Sequence, residues 1–145
     1  FRADAISRGV FAQELAPAPD HAQVLAFDHT SLHELRSTVA RCAARWDMSA
    51  SRIDDLQLAV SEIGANSVMH AGGRGTFRIW SDGRAIMCEM QDQGRITDPL
   101  VGRRKPSVED ITGRGLYLVH ELCDLVQVRS TAGGTLVRIR LHIAG

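Results

Sequence analysis

Glu62 and Asn66 lie one helical turn apart in the run DDLQLAVSEIGANSVMHA, and His70 follows one turn further on. On a helix the three share one stripe. A side-chain amide such as Asn66 offers a hard oxygen to Mg²⁺, an ion that keeps several waters and shares its other positions with phosphates. A carboxylate one turn away, Glu62, can orient or deprotonate an attacking hydroxyl or water. Further on, Asp92-Gln93-Gly94 follows an apolar run and Gly113-Arg114-Gly115-Leu116 opens a helical pattern. Asp92 could accept a hydrogen bond from an exocyclic amine such as that of adenine, and Gly94 would let the backbone turn there. A buried acceptor of this kind rejects bases that lack the donor. Backbone N–H groups at a helix N-terminus attract phosphate, and Gly113 and Gly115 allow close approach. Arg103, Arg104 and Lys105, between the two glycine motifs, are suited to phosphate oxygens, although a solvated basic patch explains them equally well. Thr135 starts the last strand, where it is a good strand former or a hydrogen-bonding group near a base.

Each motif also has an ordinary reading: a solvated helix face, a turn, a loop-to-helix junction. Asn66 resists the first of these, because asparagine is a poor residue in mid-helix and has no cap to make there. The order and spacing of all the motifs point to a magnesium nucleotide.

The elements that would position these residues follow from periodicity. Residues 1–20 end in ELAPAPD, and the prolines break any helix, so they read as a leader or linker. Residues 22–27 read as a short strand. Ser31 and Glu34 have the spacing of a capping box opening a helix to about Trp46, with Leu32, Leu35, Val39 and Cys42 on one face. Ser51 is placed to cap a second helix through His70, with Ile53, Leu56, Val60 and Ile63 in helical period. TFRIWS and RAIMCEMQ alternate apolar and polar residues about an Asp82-Gly83 hairpin turn. Residues 93–112 show no sustained period, as expected of a functional lid. A third helix from Gly115 to about Leu125 and a second hairpin complete the chain. The order β-α-α-ββ-lid-α-ββ predicts a two-layer α/β sandwich with a mixed, mostly antiparallel sheet and helices on one face.

The 145 residues suit one domain able to bury a core without disulfides. The 17 basic and 17 acidic residues cancel, which argues against a nucleic-acid module held by phosphate contacts. No apolar run approaches a membrane span. Cys42, Cys88 and Cys123 lack metal spacing and fit reduced core residues, which implies a cytoplasmic setting. The chain starts at Phe1 rather than Met, as a piece of a longer protein would.

Together these motifs resemble the GHKL superfamily, which includes gyrase, the ninety-kilodalton heat-shock chaperone, histidine kinases and MutL. The resemblance runs from about Gln23 to His142, within a domain set at residues 21–145. It implies a Bergerat-type ATP-binding fold, with Glu62 as the catalytic carboxylate and Asn66 as the Mg²⁺ ligand. It places Asp92 and Gly94 at the adenine, Gly113, Arg114, Gly115 and Leu116 at the phosphates, and Thr135 beside the base. Within the superfamily, the short two-helix entry and the Asn66-to-His70 ending look most like anti-sigma factor serine kinases of the RsbW and SpoIIAB kind. The segment before the third helix looks like actinobacterial RsbA-like members. Such relatives bind ATP and Mg²⁺, phosphorylate a serine on a STAS-type anti-anti-sigma partner and sequester a sigma factor. They often dimerise, so a homodimer is an implied assembly; neither DNA nor a membrane is an implied partner.

One position departs from the family pattern. Ile96 stands where the first glycine box usually carries a second glycine, and a β-branched residue cannot take glycine's φ values. This keeps a second reading open, a protein-interaction switch with or without nucleotide and without turnover. A third, a sensor histidine kinase catalytic domain, would use His33-Glu34-Leu35-Arg36 as its acceptor. The space between His33 and Asn66 is too short for the helical hairpin that reading needs.

Overall fold

The computed structural model describes residues 16–28, 30–70, 74–92, 118–131 and 134–144; the side chains of residues 66–70, 130 and 131 lie outside that description. The elements are β1 (Gln23–Asp28), α1 (Leu32–Arg45), α2 (Ala50–His70), β2 (Arg74–Ser81), β3 (Ala85–Asp92), β4 (Leu125–Thr131) and β5 (Gly134–His142). Residues 118–122 are helical, part of the third helix expected from the sequence. The strands form one sheet in the order β1-β2-β3-β5-β4, and every pair is antiparallel.

Alternation in β2 and β3 does what period-2 sequences require. Phe77 pairs with Met90 and Ile79 with Cys88, and these side chains join the core beneath the helices. The turn between the strands is held by Asp82, whose carboxylate accepts the backbone N–H groups of Arg84 and Ala85 at 2.8 and 2.9 Å. Gly83 takes φ +94 there, as the Asp-Gly turn signal predicts. These two backbone bonds are the main cause that lowers the Asp82 carboxyl to about 2, with Arg140 adding to them.

Both helices pack on one face of the sheet. α1 buries Leu35, Val39, Cys42 and Ala43, and α2 buries Leu56, Ala59, Val60 and Ile63. Asp47 takes φ 67 between them, a conformation that short polar residues tolerate. Two expected caps are corrected. Ser31 sits at the N-cap of α1 but makes no side-chain cap bond, because its hydroxyl instead accepts the Asp28 N–H at 2.8 Å and closes the β1–α1 turn. At α2 the cap is Ser49, not Ser51: the Ser49 hydroxyl accepts the Arg52 N–H at 3.3 Å, and its carbonyl accepts that of Ile53 at 2.9 Å. The helix therefore starts at Ala50, before the residue chosen from its polar type.

Cys42 and Cys88 are buried, Cys123 is partly so, and all three are free thiols. Burial pushes Cys123 up to about 12 and Cys88 well above the usual thiol range, so neither is a thiolate near neutral pH. No described helix is long and apolar enough to cross a membrane.

The start of α2 is tied to the end of β5 by Asp124. Its carboxylate accepts the His142 backbone N–H at 2.7 Å and pairs with Arg52 at 2.9 Å, while Arg52 also donates to the His142 carbonyl at 3.1 Å. Burial alone would raise the Asp124 carboxyl, but the bond from His142 and the charges of His142 and Arg52 outweigh it and hold it below the ordinary value. The folded state thus favours the carboxylate. Its stabilisation is complete above the unfolded value of about 3.9 and is lost as pH falls through the lower folded value. Urea titrations should therefore show Asp124→Asn weaker than the parent at pH 7, with the gap narrowing by pH 3. An equal gap at both pH values would separate Asp124 from the acid sensitivity.

Candidate functional site

Two contacts organise the site. The first lies where β3 ends and β5 begins. The ladder between these strands runs to Gln91 opposite Leu136, one step short of Asp92 and Thr135. Asp92 is buried, with 6% of its surface exposed, and its Oδ1 accepts the Thr135 backbone N–H at 3.1 Å. Gly134 makes this approach possible. It takes φ +135, and a Cβ there would drive into the Asp92 carbonyl oxygen while sitting 3.2 Å from Asp92 Oδ1. Only glycine meets both demands. The carboxylate is thus held in place by the neighbouring strand.

The second contact sets the height of α2. A Cβ on Gly64 would lie 3.0 Å from Leu32 Cδ2 and 3.5 Å from Met90 Cε. The absent side chain lets the helix settle against both α1 and β3. Met90 is two residues before Asp92 on the same face, so the α2 turn containing Glu62 and the backbone of Asn66 stands beside the end of β3 that carries Asp92. Glu62 is half-buried.

Gly64 thus sets α2 beside β3 at Met90, two residues before the Asp92–Thr135 junction. The Asn66 side chain lies outside the described residues, as do Gly94, Ile96, Arg103, Arg104, Lys105, Gly113, Arg114, Gly115 and Leu116. Gly64 and Gly134 were not singled out as functional from the sequence. A signal existed for Gly64, because a glycine inside a helix costs about 1 kcal/mol relative to alanine and needs a packing reason. Gly134 carried only a turn signal, since its need for a missing Cβ comes from a residue far away in sequence.

Residues 25–141 match the Histidine kinase-like ATPase domain family. The chain belongs to that family. It is 30% identical over 118 residues to an anti-sigma F factor of a Thermoanaerobacter species, covering 74% of this chain and 82% of that protein. An anti-sigma F factor of Clostridium acetobutylicum is 30% identical over 121 residues, covering 75% of this chain and 83% of the relative. Among solved structures, the RsbU and RsbW domains of a Mycobacterium tuberculosis protein superpose with a TM-score of 0.63 at 18% identity. That alignment covers 89% of this chain and 34% of the larger one, so this histidine kinase-like ATPase domain spans about a third of that neighbour's length. The Acinetobacter baumannii histidine kinase AdeS superposes with a TM-score of 0.51 at 12% identity, covering 99% of this chain and 77% of that one. These likenesses fix the fold: the five-stranded antiparallel sheet with helices on one face is the GHKL, or Bergerat, arrangement expected from the motifs.

Gly134→Ala should destabilise the domain by about 1–3 kcal/mol, the scale of a residue forced into a sparsely populated backbone region. Urea unfolding measures it. A variant as stable as the parent would show that β5 does not need the missing Cβ.

Proposed function

We propose that this domain binds ATP with Mg²⁺ and acts as an anti-sigma-type regulator, phosphorylating a serine on an anti-anti-sigma partner and sequestering a sigma factor. The observation that carries this reading is the buried Asp92, locked by the Thr135 N–H, in a chain similar to anti-sigma F factors over three-quarters of its length. The donor set fits the nucleotide: an acidic acceptor for the adenine amine, a threonine beside it, and a carboxylate and an amide one turn apart on α2. The phosphates would lie toward Gly113, Arg114, Gly115 and Leu116, with Arg103, Arg104 and Lys105 available to their oxygens. Asn66 would hold Mg²⁺, which when bound neutralises charge on the phosphate oxygens.

Glu62 would accept the proton of the partner's serine as its oxygen attacks the γ-phosphorus. The bond to the bridging oxygen breaks, ADP leaves and phosphoserine forms. Phosphoryl transfer asks mainly for positioning and charge neutralisation, so this small set of residues suffices. Ile96 favours a second reading, in which nucleotide controls association without turnover. Incubation with labelled ATP, Mg²⁺ and a STAS-type partner separates the two. Label on a partner serine supports the kinase, and tight ATP binding without label supports the switch.

Asn66→Ala should abolish Mg²⁺-dependent ATP binding by calorimetry, and binding at the parent level would reject the assigned ligand. Glu62→Ala should keep ATP binding yet slow transfer at least tenfold, about 1.4 kcal/mol in the barrier. Transfer at the parent rate in a single-turnover assay would take the proton-accepting role away from Glu62.

A further inference from the structure

The sheet face turned away from the helices carries a second, smaller core. Register sets Trp80 opposite Met87, Met87 opposite Arg140, and Arg140 opposite Leu125. Trp80, Ala85 and Met87 are 7%, 0% and 8% exposed, although no helix among the described residues covers them. Their cover is the segment preceding β1, from which Ala18 and Ala22 pack against the cluster. Residues 16–19 read Ala-Pro-Ala-Pro. Proline fixes its own φ and pushes the preceding residue to extended backbone, so this stretch is biased toward a polyproline helix before it docks. It ends in a turn in which the Ala22 N–H donates to the Pro19 carbonyl at 3.1 Å.

Beside the segment lies an open cavity of about 270 Å³, whose lining Pro17 and Pro19 share with Trp80, Met87 and Leu125. Arg138 supplies the polar anchor. Its guanidinium lies 5.2 Å from the Trp80 ring centroid, and its Nη2 donates to the Ala16 carbonyl at 2.7 Å. It is held for that task by Glu89, which is buried at 4% exposure and accepts from Arg138 at 2.6 and 2.9 Å. An aromatic ring beside prolines, with a fixed donor aimed at the backbone carbonyl just before the first of them, is chemistry by which proteins recognise extended proline-rich segments.

We propose that this face is a binding groove for an extended proline–alanine segment, lined and covered here by residues 16–19 of the chain itself. The groove uses the face opposite α2 and stands independently of the nucleotide reading. Specificity comes from the stiff backbone and the carbonyl bond, since the side chains involved are small. Leu125, 44% exposed, lies at the rim of the groove.

The test keeps the whole chain. In a Trp46→Phe background, Trp80 is the sole tryptophan and reports cover through acrylamide quenching. Ala18→Lys sets a charge against Trp80 and Met87 that Arg138 and Arg140 repel and should expel the segment, raising the quenching. Arg138 is left intact, because removing it would strand the buried Glu89. A synthetic peptide of residues 15–22 should then restore shielding saturably. The same peptide with both prolines changed to glycine should bind at least about four-fold more weakly, given about two-fold or more for each proline. Trp80 remaining shielded in the Ala18→Lys protein would overturn the assigned cover. Failure of the peptide to shield at millimolar concentration, or equal binding of the two peptides, would overturn the groove.

Discussion

The candidate site depends on how closely β5 approaches the end of β3. Asp92 is a buried carboxylate, and a buried carboxylate is costly unless hydrogen bonds hold it. The Thr135 N–H supplies one such bond at 3.1 Å, and the glycine before it removes the atom that would forbid the approach. On the proposed reading, an acidic group fixed in this way would meet an amine donor with little reorganisation, which is where electrostatic recognition gains most. Strand pairing therefore does chemical work here, since the register that aligns Leu136 with Gln91 also delivers the Thr135 N–H to Asp92.

The same two strands are loaded from both sides. β3 is buried at every position except Gln91, although its sequence alternates as a one-sided strand would. Toward the helices it offers Ile86, Cys88 and Met90 to the main core. Toward the other side it offers Ala85, Met87 and Glu89 to the smaller one, where Arg138 and, at 3.6 Å, Arg78 flank the glutamate. Such double loading restrains β3 from both faces of the sheet. It also sets the candidate nucleotide junction and the proline groove on opposite faces of a shared pair of strands.

Much of this architecture was legible in the sequence. The alternation in TFRIWS and RAIMCEMQ gave β2 and β3, Asp82-Gly83 gave their turn, and the 3.6-residue period of Ile53, Leu56, Val60 and Ile63 gave α2. Glu62, Asp92 and Thr135 could be chosen because their types and order carry chemistry. The caps were not legible, because Ser49 and Ser51 are the same residue type two positions apart and only backbone geometry selects between them. The outer core was not legible either. Trp80 and Met87 occupy positions that alternation assigns to solvent, and the prolines at 17 and 19, which break a helix, say nothing about what an extended segment will lie upon. Pairings across long sequence separation, such as Arg138 with Ala16 or Gly134 with Asp92, leave no local pattern to find.

The two contacts that assemble the site share one physical device, a missing side chain. Gly64 brings α2 against Leu32 and Met90, and Gly134 brings β5 against Asp92. At Gly134 backbone closeness, not a side-chain bond, sets the distance between β5 and Asp92, and at Gly64 the helix backbone meets the Leu32 and Met90 side chains. Packing of this kind is stiff, because interiors at crystal-like density give way only by shifting several neighbours together. At Gly64 the atoms nearest an added methyl are the ends of the Leu32 and Met90 side chains, which can shift by rotamer, whereas a methyl at Gly134 would meet the Asp92 backbone and move a strand, parting functional groups on β3 and β5. Catalytic and binding geometry tolerates little of that, since misplacement by about 1 Å can cost a hundredfold in rate. Tolerance to substitution should thus be lower at Gly134 than at Gly64, although neither makes a chemical contribution of its own.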